Sequence, residues 1–149
     1  MLRNFEEGHD FIRREFGITP TVAWQLDPFG HSSGLASLFA EIGFEATFFA
    51  RMNLDEFRDR SLEQDLEFVW RPRFASDEAV EGARPEIFAH MLFDHYNPPD
   101  FVAYLAYHGN HVKPFNENHG TNWFNYFTSQ AEAYRTKNVI VLWGDDFSH

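Results

Sequence analysis

The chain has 149 residues, which suits one ordinary domain. Apolar residues are 44% and charged residues 23%, a globular balance that excludes a disordered or collagen-like chain, and no apolar run approaches the length of a membrane span. The net charge of −11 excludes a basic footprint for nucleic acid or an anionic membrane, and the absence of cysteine excludes disulfides, thiol catalysis and thiolate-bound zinc.

The first sixteen residues place Leu2, Phe5, His9, Ile12 and Phe16 at helical spacing, with charged residues between them. No signal-peptide stretch is recognisable there. Gly17 is suited to the position after a helix end, and Pro20 follows. Residues 21–26 predict a short buried strand that stops at Asp27-Pro28. Ser32 or Ser33 can cap a second helix carrying Leu35, Leu38, Phe39 and Ile42, ended by Gly43. Residues 44–50 predict a second strand. Asn53 can cap a third helix with Leu54, Phe57 and Leu62, and residues 66–70 predict another strand. Residues 72–84 have no clear period and read as a loop. A strand is expected over 87–93 and a loop over 94–99, while residues 101–120 are ambiguous. Thr121 or Asn122 can open a helix with Trp123, Phe124, Phe127, Ala131 and Tyr134, and residues 139–143 predict a last, fully apolar strand.

Strands alternate with helices, and several strands are continuously apolar. That pattern predicts an α/β fold with a parallel sheet covered on both faces. The chain begins inside a helical pattern and stops directly after a predicted strand, so it reads as a piece of a larger α/β domain. In such sheets ligands bind outside the carboxyl ends of the strands. Two predicted strands end there in acids: Asp27, and the pair Asp145-Asp146. Each is also an ordinary turn composition. Two carboxylates facing one cleft suit general acid–base work, with glycoside hydrolysis as the leading case. The aromatic content of 18% is compatible with a sugar ligand, although most aromatic residues are expected in the core.

The stretch Trp24-Gln25-Leu26-Asp27-Pro28-Phe29-Gly30-His31-Ser32 resembles the Trp-x-x-Asp-Pro-Phe-Gly-His-Ser segment of glycoside hydrolase family 38, the class II α-mannosidases. The likeness continues through Phe48-Phe49-Ala50-Arg51, Leu66-Glu67-Phe68-Val69-Trp70-Arg71, Tyr96-Asn97-Pro98-Pro99 and Gly144-Asp145-Asp146-Phe147. These blocks keep the family's order and cover essentially the whole chain. The Tyr-x-Pro-Pro block leans towards the lysosomal-type branch.

This resemblance implies part of a seven-stranded parallel α/β barrel, with residues 1–149 a partial catalytic domain lacking N-terminal and C-terminal portions. It implies a retaining hydrolase of terminal α-mannose on glycans, with zinc at the active site. Asp27 would be the nucleophile and a zinc ligand, and Asp146 the general acid/base. Arg51, Tyr96 and Asp145 would line the sugar site. Burial and the Asp145 charge are expected to keep Asp146 protonated at rest. The family takes further zinc ligands from an upstream His-x-Asp segment and a downstream His. No His-x-Asp occurs in this chain, so the remaining ligands are expected outside it, and this chain alone is expected to be inactive. A lysosomal or secretory compartment follows from the resemblance alone, and the oligomeric state is open.

Two alternatives stay open: a polysaccharide deacetylase-like metal hydrolase, and an inactive carbohydrate-binding piece. The other histidines have plainer readings. His31 and His90 suit structural roles, the latter in the core, His95 a loop pair with Asp94, and His108 and His111 a turn. Ordinary packing accounts for Phe29 and Trp70.

Overall fold

The computed structural model of the chain describes residues 2–72, 85–97, 99, 117–142, 144 and 146. The order is α1 (Leu2–Phe16), β1 (Val22–Trp24), α2 (Ser33–Glu41), β2 (Ala46–Phe49), α3 (Leu54–Leu62), β3 (Glu67–Trp70), β4 (Ile87–Met91) and α4 (Glu117–Glu132).

The helix ends follow side-chain chemistry. Gly17 sits at φ +70°, and its N–H donates to the Arg13 carbonyl, closing α1. Ser32 is extended and its hydroxyl accepts from the Leu35 N–H, which starts α2. Gly43, at φ +97°, ends the turn after it. The Asn53 side chain accepts from the N–H groups of Asp55 and Glu56 to open α3. α4 opens at Glu117, earlier than the cap expected at residues 121–122.

The four strands form one sheet in the order β1-β2-β4-β3. β1–β2 and β2–β4 are parallel. β3 runs antiparallel to β4, pairing Glu67 with His90 and Trp70 with Ile87. The sheet is therefore mixed, which corrects the all-parallel expectation. Only four residues separate α3 from β3, and an Asp65–Tyr134 bridge precedes the strand. After α3 the chain thus enters the sheet at an edge, beside β4 and away from β2, the strand that precedes it in sequence. Residues 139–142 carry no strand, contrary to the expected final strand; Trp143 lies outside the described residues. Among the described residues one face is covered only in part, where Tyr134 lies on His90, short of the expected cover on both faces. Val22, Trp24, Val69 and Phe88 are exposed, and strand register places them on one face.

Two apolar clusters hold the elements together. One joins Ala23, Ala36, Phe39, Phe44 and Ile87, so α2 lies across β1 and β4. Phe5 of α1 meets Phe39 and Phe44 edge-on at 5.5 and 5.8 Å, but no residue of α1 is fully buried, and Leu2 and Phe16 of its expected apolar face are exposed. The other cluster joins Phe49, Leu66, Ala89, Met91, Ala133 and Tyr134. Among the described residues, Leu66 and Ile87 are the largest side chains fully withdrawn from solvent. Each contributes roughly 1.5–3 kcal/mol by burial.

His90 is buried as expected, and its surroundings explain its protonation state. Its Nδ1 lies 2.9 Å from Glu67 Oε1, and its ring stacks on Tyr134 at 5.1 Å. A carboxylate accepts, so Nδ1 carries the proton. The buried Nε2 has no hydrogen-bond partner among the described residues. Protonating it would bury an unsatisfied N–H. Burial accordingly lowers the His90 pKa from 6.5, against the opposing pull of Glu67. Burial, reinforced by the Glu67 charge, raises the Tyr134 phenol.

A histidine held neutral in the folded state binds its proton more readily when unfolded. Its contribution is complete above its ordinary value of 6.5 and is lost as pH falls through the lower folded value. Urea unfolding of the protein should therefore give a free energy that declines below pH 6.5. In His90→Asn that decline should be shallower, with lower stability at neutral pH.

Candidate active site

The site is built at the carboxyl ends of β1, β2 and β4. Trp24 pairs with Phe48, and Phe48 pairs with His90. Asp27 lies three positions beyond Trp24, and Arg51 three beyond Phe48. Equal offsets on neighbouring parallel strands bring the two side chains together. The strands stay joined past their assigned ends: Gln25 N–H donates to Phe48 O at 3.0 Å, and Ala50 N–H to Leu26 O at 3.2 Å.

The Arg51 guanidinium uses Nε and Nη2 to grip Asp27 Oδ1 in a short ion pair. Both side chains remain in contact with solvent, at 35% exposure for Arg51 and 45% for Asp27. Asp27 raises the Arg51 pKa, chiefly by accepting its hydrogen bond, while partial desolvation opposes the shift. Phe29 covers the guanidinium, whose carbon lies 4.5 Å from the ring centroid. That ring is 86% exposed, so core packing does not explain Phe29. Packing does account for Trp70, which contacts both apolar clusters.

His31 closes the loop. Its Nε2–H donates to the Arg51 carbonyl at 2.6 Å, and its ring rests on Phe49 at 4.6 Å. The loop after β1 is thereby fastened to the end of β2 through backbone, ion pair and imidazole. Gly30 takes φ +108° between Phe29 and His31, a backbone conformation that side chains other than glycine's resist.

Tyr96 extends the chain of contacts to the second acid. Its hydroxyl donates to Asp146 Oδ2 at 3.1 Å. Arg51 and the Asp27 charge also act on its phenol, and its ring lies 4.1 Å from that of His95. The phenol pKa is raised, first by desolvation and then by Asp146 as hydrogen-bond acceptor and as charge; Arg51 pulls the other way. Asp27, Arg51, Tyr96 and Asp146 thus form one connected set drawn from three strand ends and the chain beyond residue 142. Asp146 is exposed, so the burial expected around it is not found. Asp145 lies outside the described residues, as do His108 and His111.

The set suits a reaction that needs one oriented carboxylate and one carboxyl that exchanges protons. It does not amount to a zinc site. Among the described residues, no three His, Asp or Glu side chains gather where a metal could be held. Asp27 offers a single carboxylate with one oxygen already taken by Arg51. Sequence reasoning named these four residues and Asp145 as candidates, but neither the contacts that bring the four together nor Phe29 as the cover over Arg51. The shared offset beyond the two strands was the available signal, and it needs the register to be read.

Known proteins give this arrangement its context. The chain matches the glycosyl hydrolases family 38 N-terminal domain over residues 1–149. It is 34% identical over 154 residues to a lysosomal alpha-mannosidase of Felis catus, covering 95% of this chain and 15% of that protein. It is 32% identical over 160 residues to a probable alpha-mannosidase of Arabidopsis thaliana, covering 100% of this chain and 15% of that protein. An alpha-mannosidase of Canavalia ensiformis is 31% identical over 160 residues, covering 100% of this chain and 16% of its own length. The chain therefore spans about 15% of the length of such relatives. On the match along its whole length and on these identities, the chain belongs to glycosyl hydrolase family 38.

Proposed function

We propose that this chain supplies the two catalytic carboxylates of a retaining α-mannosidase, acting on terminal α-mannose residues of glycans. The observation that carries the reading is the meeting, at one end of the sheet, of the Asp27–Arg51 ion pair and the Tyr96–Asp146 hydrogen bond, with Arg51 and Asp27 acting electrostatically on the Tyr96 phenol. It links two acids, far apart in sequence, across one end of the sheet. Family membership and the alpha-mannosidase names of the relatives supply the substrate class. Residues 1–149 are then part of a catalytic domain of the barrel type, and the working compartment is lysosomal or secretory, as for the lysosomal relatives. Among the described residues no helix is long and apolar enough to cross a membrane.

In the first step an Asp27 carboxylate oxygen forms a bond to the anomeric carbon as the bond to the leaving oxygen breaks. Asp146 gives its proton to that oxygen. In the second step the Asp146 carboxylate takes a proton from water, whose oxygen displaces Asp27 from the sugar and restores both groups. Arg51 fixes one oxygen of Asp27 and supplies a positive charge beside it. Tyr96 holds Asp146 in place and, with Arg51 and Phe29, borders the sugar. Asp145 would add a hydroxyl contact. Among the described residues the zinc implied for this family finds a single donor, Asp27, which does not suffice to hold it. No step above passes through a metal.

In the full protein, Asp27→Asn should abolish turnover of methyl α-mannoside, whose leaving group needs a proton, and Asp146→Asn should reduce it by on the order of 10²–10⁴-fold. Unchanged turnover in either variant would remove the assignment. Arg51→Lys keeps the charge but loses the two-nitrogen grip and the planar stack under Phe29. It should lower kcat/KM by about tenfold or more, the equivalent of roughly 1.4 kcal/mol. Calorimetric titration of the 149-residue chain with Zn²⁺ should show no saturable one-to-one site, and Asp27→Asn should leave the trace unchanged.

A further inference from the structure

The segment that leads to Asp146 is anchored by a helix. Residues 138–142 are in no strand. What holds them is Gln130, in the last turn of α4, whose Nε2–H donates to the Ile140 carbonyl at 2.9 Å. Gln130 is 4% exposed. A carbonyl only accepts hydrogen bonds, so this contact fixes which way the amide is turned. The amide oxygen Oε1 then needs a donor of its own. It is buried and has no hydrogen-bond partner among the described residues.

Gln130 also borders a cavity of about 10 Å³ whose wall includes Asp94, His95, Asn97, Tyr126 and Leu142. That is room for about one water molecule. The wall has polar groups to receive it, and Tyr126 is itself drawn in. Burial, the Asp94 charge and a hydrogen bond with Asp94 push its phenol up to about 12. The residues at 94, 95 and 97 belong to the loop that carries Tyr96, and Tyr96 is the group that meets Asp146. One amide therefore stands behind both partners of that hydrogen bond.

We propose that Gln130 is a positioning residue for Asp146. Its nitrogen holds the 138–142 segment, and its oxygen carries one internal water that braces the Tyr96 loop, which together set the reach of Asp146 towards the leaving oxygen. The inference rests on the reading of Asp146 as proton donor.

The test uses the full protein and two α-mannosides. Departure of a dinitrophenolate needs no proton; departure of methoxide does. For the methyl glycoside, Gln130→Met should lower kcat/KM by on the order of 10²-fold, the loss expected from a small misplacement of a reacting group. For the dinitrophenyl glycoside kcat/KM should stay near the parent value, which also certifies that the variant is folded. Asp146→Asn should show the same selectivity, only larger. Equal losses on both substrates in Gln130→Met, or none on the methyl glycoside, would overturn the positioning role while Asp146→Asn remained selective. Absence of selectivity in Asp146→Asn would instead remove the proton-donor reading and this inference with it. A high-resolution crystal structure of the parent protein provides a test that needs no variant. It should show a water within hydrogen-bond distance of Gln130 Oε1, and a dry cavity would overturn the bridging role.

Discussion

The Asp27–Arg51 ion pair depends on one structural constraint, the parallel register of β1 against β2. Trp24 lies opposite Phe48, and each charged side chain follows its strand by the same three positions. A slip of one residue would turn the strand's side chains to the other face and separate the pair. The register is set by apolar packing rather than by the charges. Ala23, Phe49 and Ala89 are buried in the two clusters, and Gln25 and Ala50 continue the backbone pairing towards the site.

An exposed ion pair of this kind contributes little to stability, about 0–1 kcal/mol. Its importance lies in orientation. Arg51 is held on three sides: the Asp27 carboxylate at its head, the Phe29 ring against its plane, and His31 on its own carbonyl. Those contacts remove rotational freedom from a long side chain before any sugar arrives, which is the cost that positioning would otherwise incur. The core is built from different residues. Buried His90 of β4 and Tyr134 stack against each other beside the half-buried Glu67 of β3, and Tyr134 donates to the Met91 carbonyl at 2.8 Å. Polar groups in the sheet thus divide into those that satisfy the interior and those that remain available to a ligand.

Much of the local structure was legible because its causes are local. Ser32 and Asn53 cap helices through their own side chains, and Gly17 and Gly43 adopt the positive φ that ends a helical turn. The apolar runs at residues 22–24, 46–49 and 87–91 form strands for the same reason. Strand direction was not legible. The residues of β3, Glu67-Phe68-Val69-Trp70, suit a strand of either direction, and its antiparallel course appears only in its pairing with β4, after an entry where Arg60 and Arg135 both hold Asp65. The run at residues 139–142 has the composition of a strand but no ladder partner among the described residues. Composition reports suitability for a sheet, whereas pairing depends on a neighbour that local sequence does not specify.

The candidate site shows the same division. Asp27, Arg51, Tyr96 and Asp146 could be named because they occupy a recognisable series of segments. Their mutual contacts depend on register and on loop length, neither of which those segments encode. Phe29 and Gln130 illustrate the consequence in opposite directions. Phe29 reads as one more core aromatic in a chain with 18 Phe residues, yet it is exposed over Arg51. Gln130 is of a type mostly exposed on helices, yet it is buried and tied to Ile140. In both cases a residue departs from the burial its type predicts, and in both the departure leads to a group that holds one of the two acids. Burial against type is therefore a better guide to the support of this site than residue identity alone.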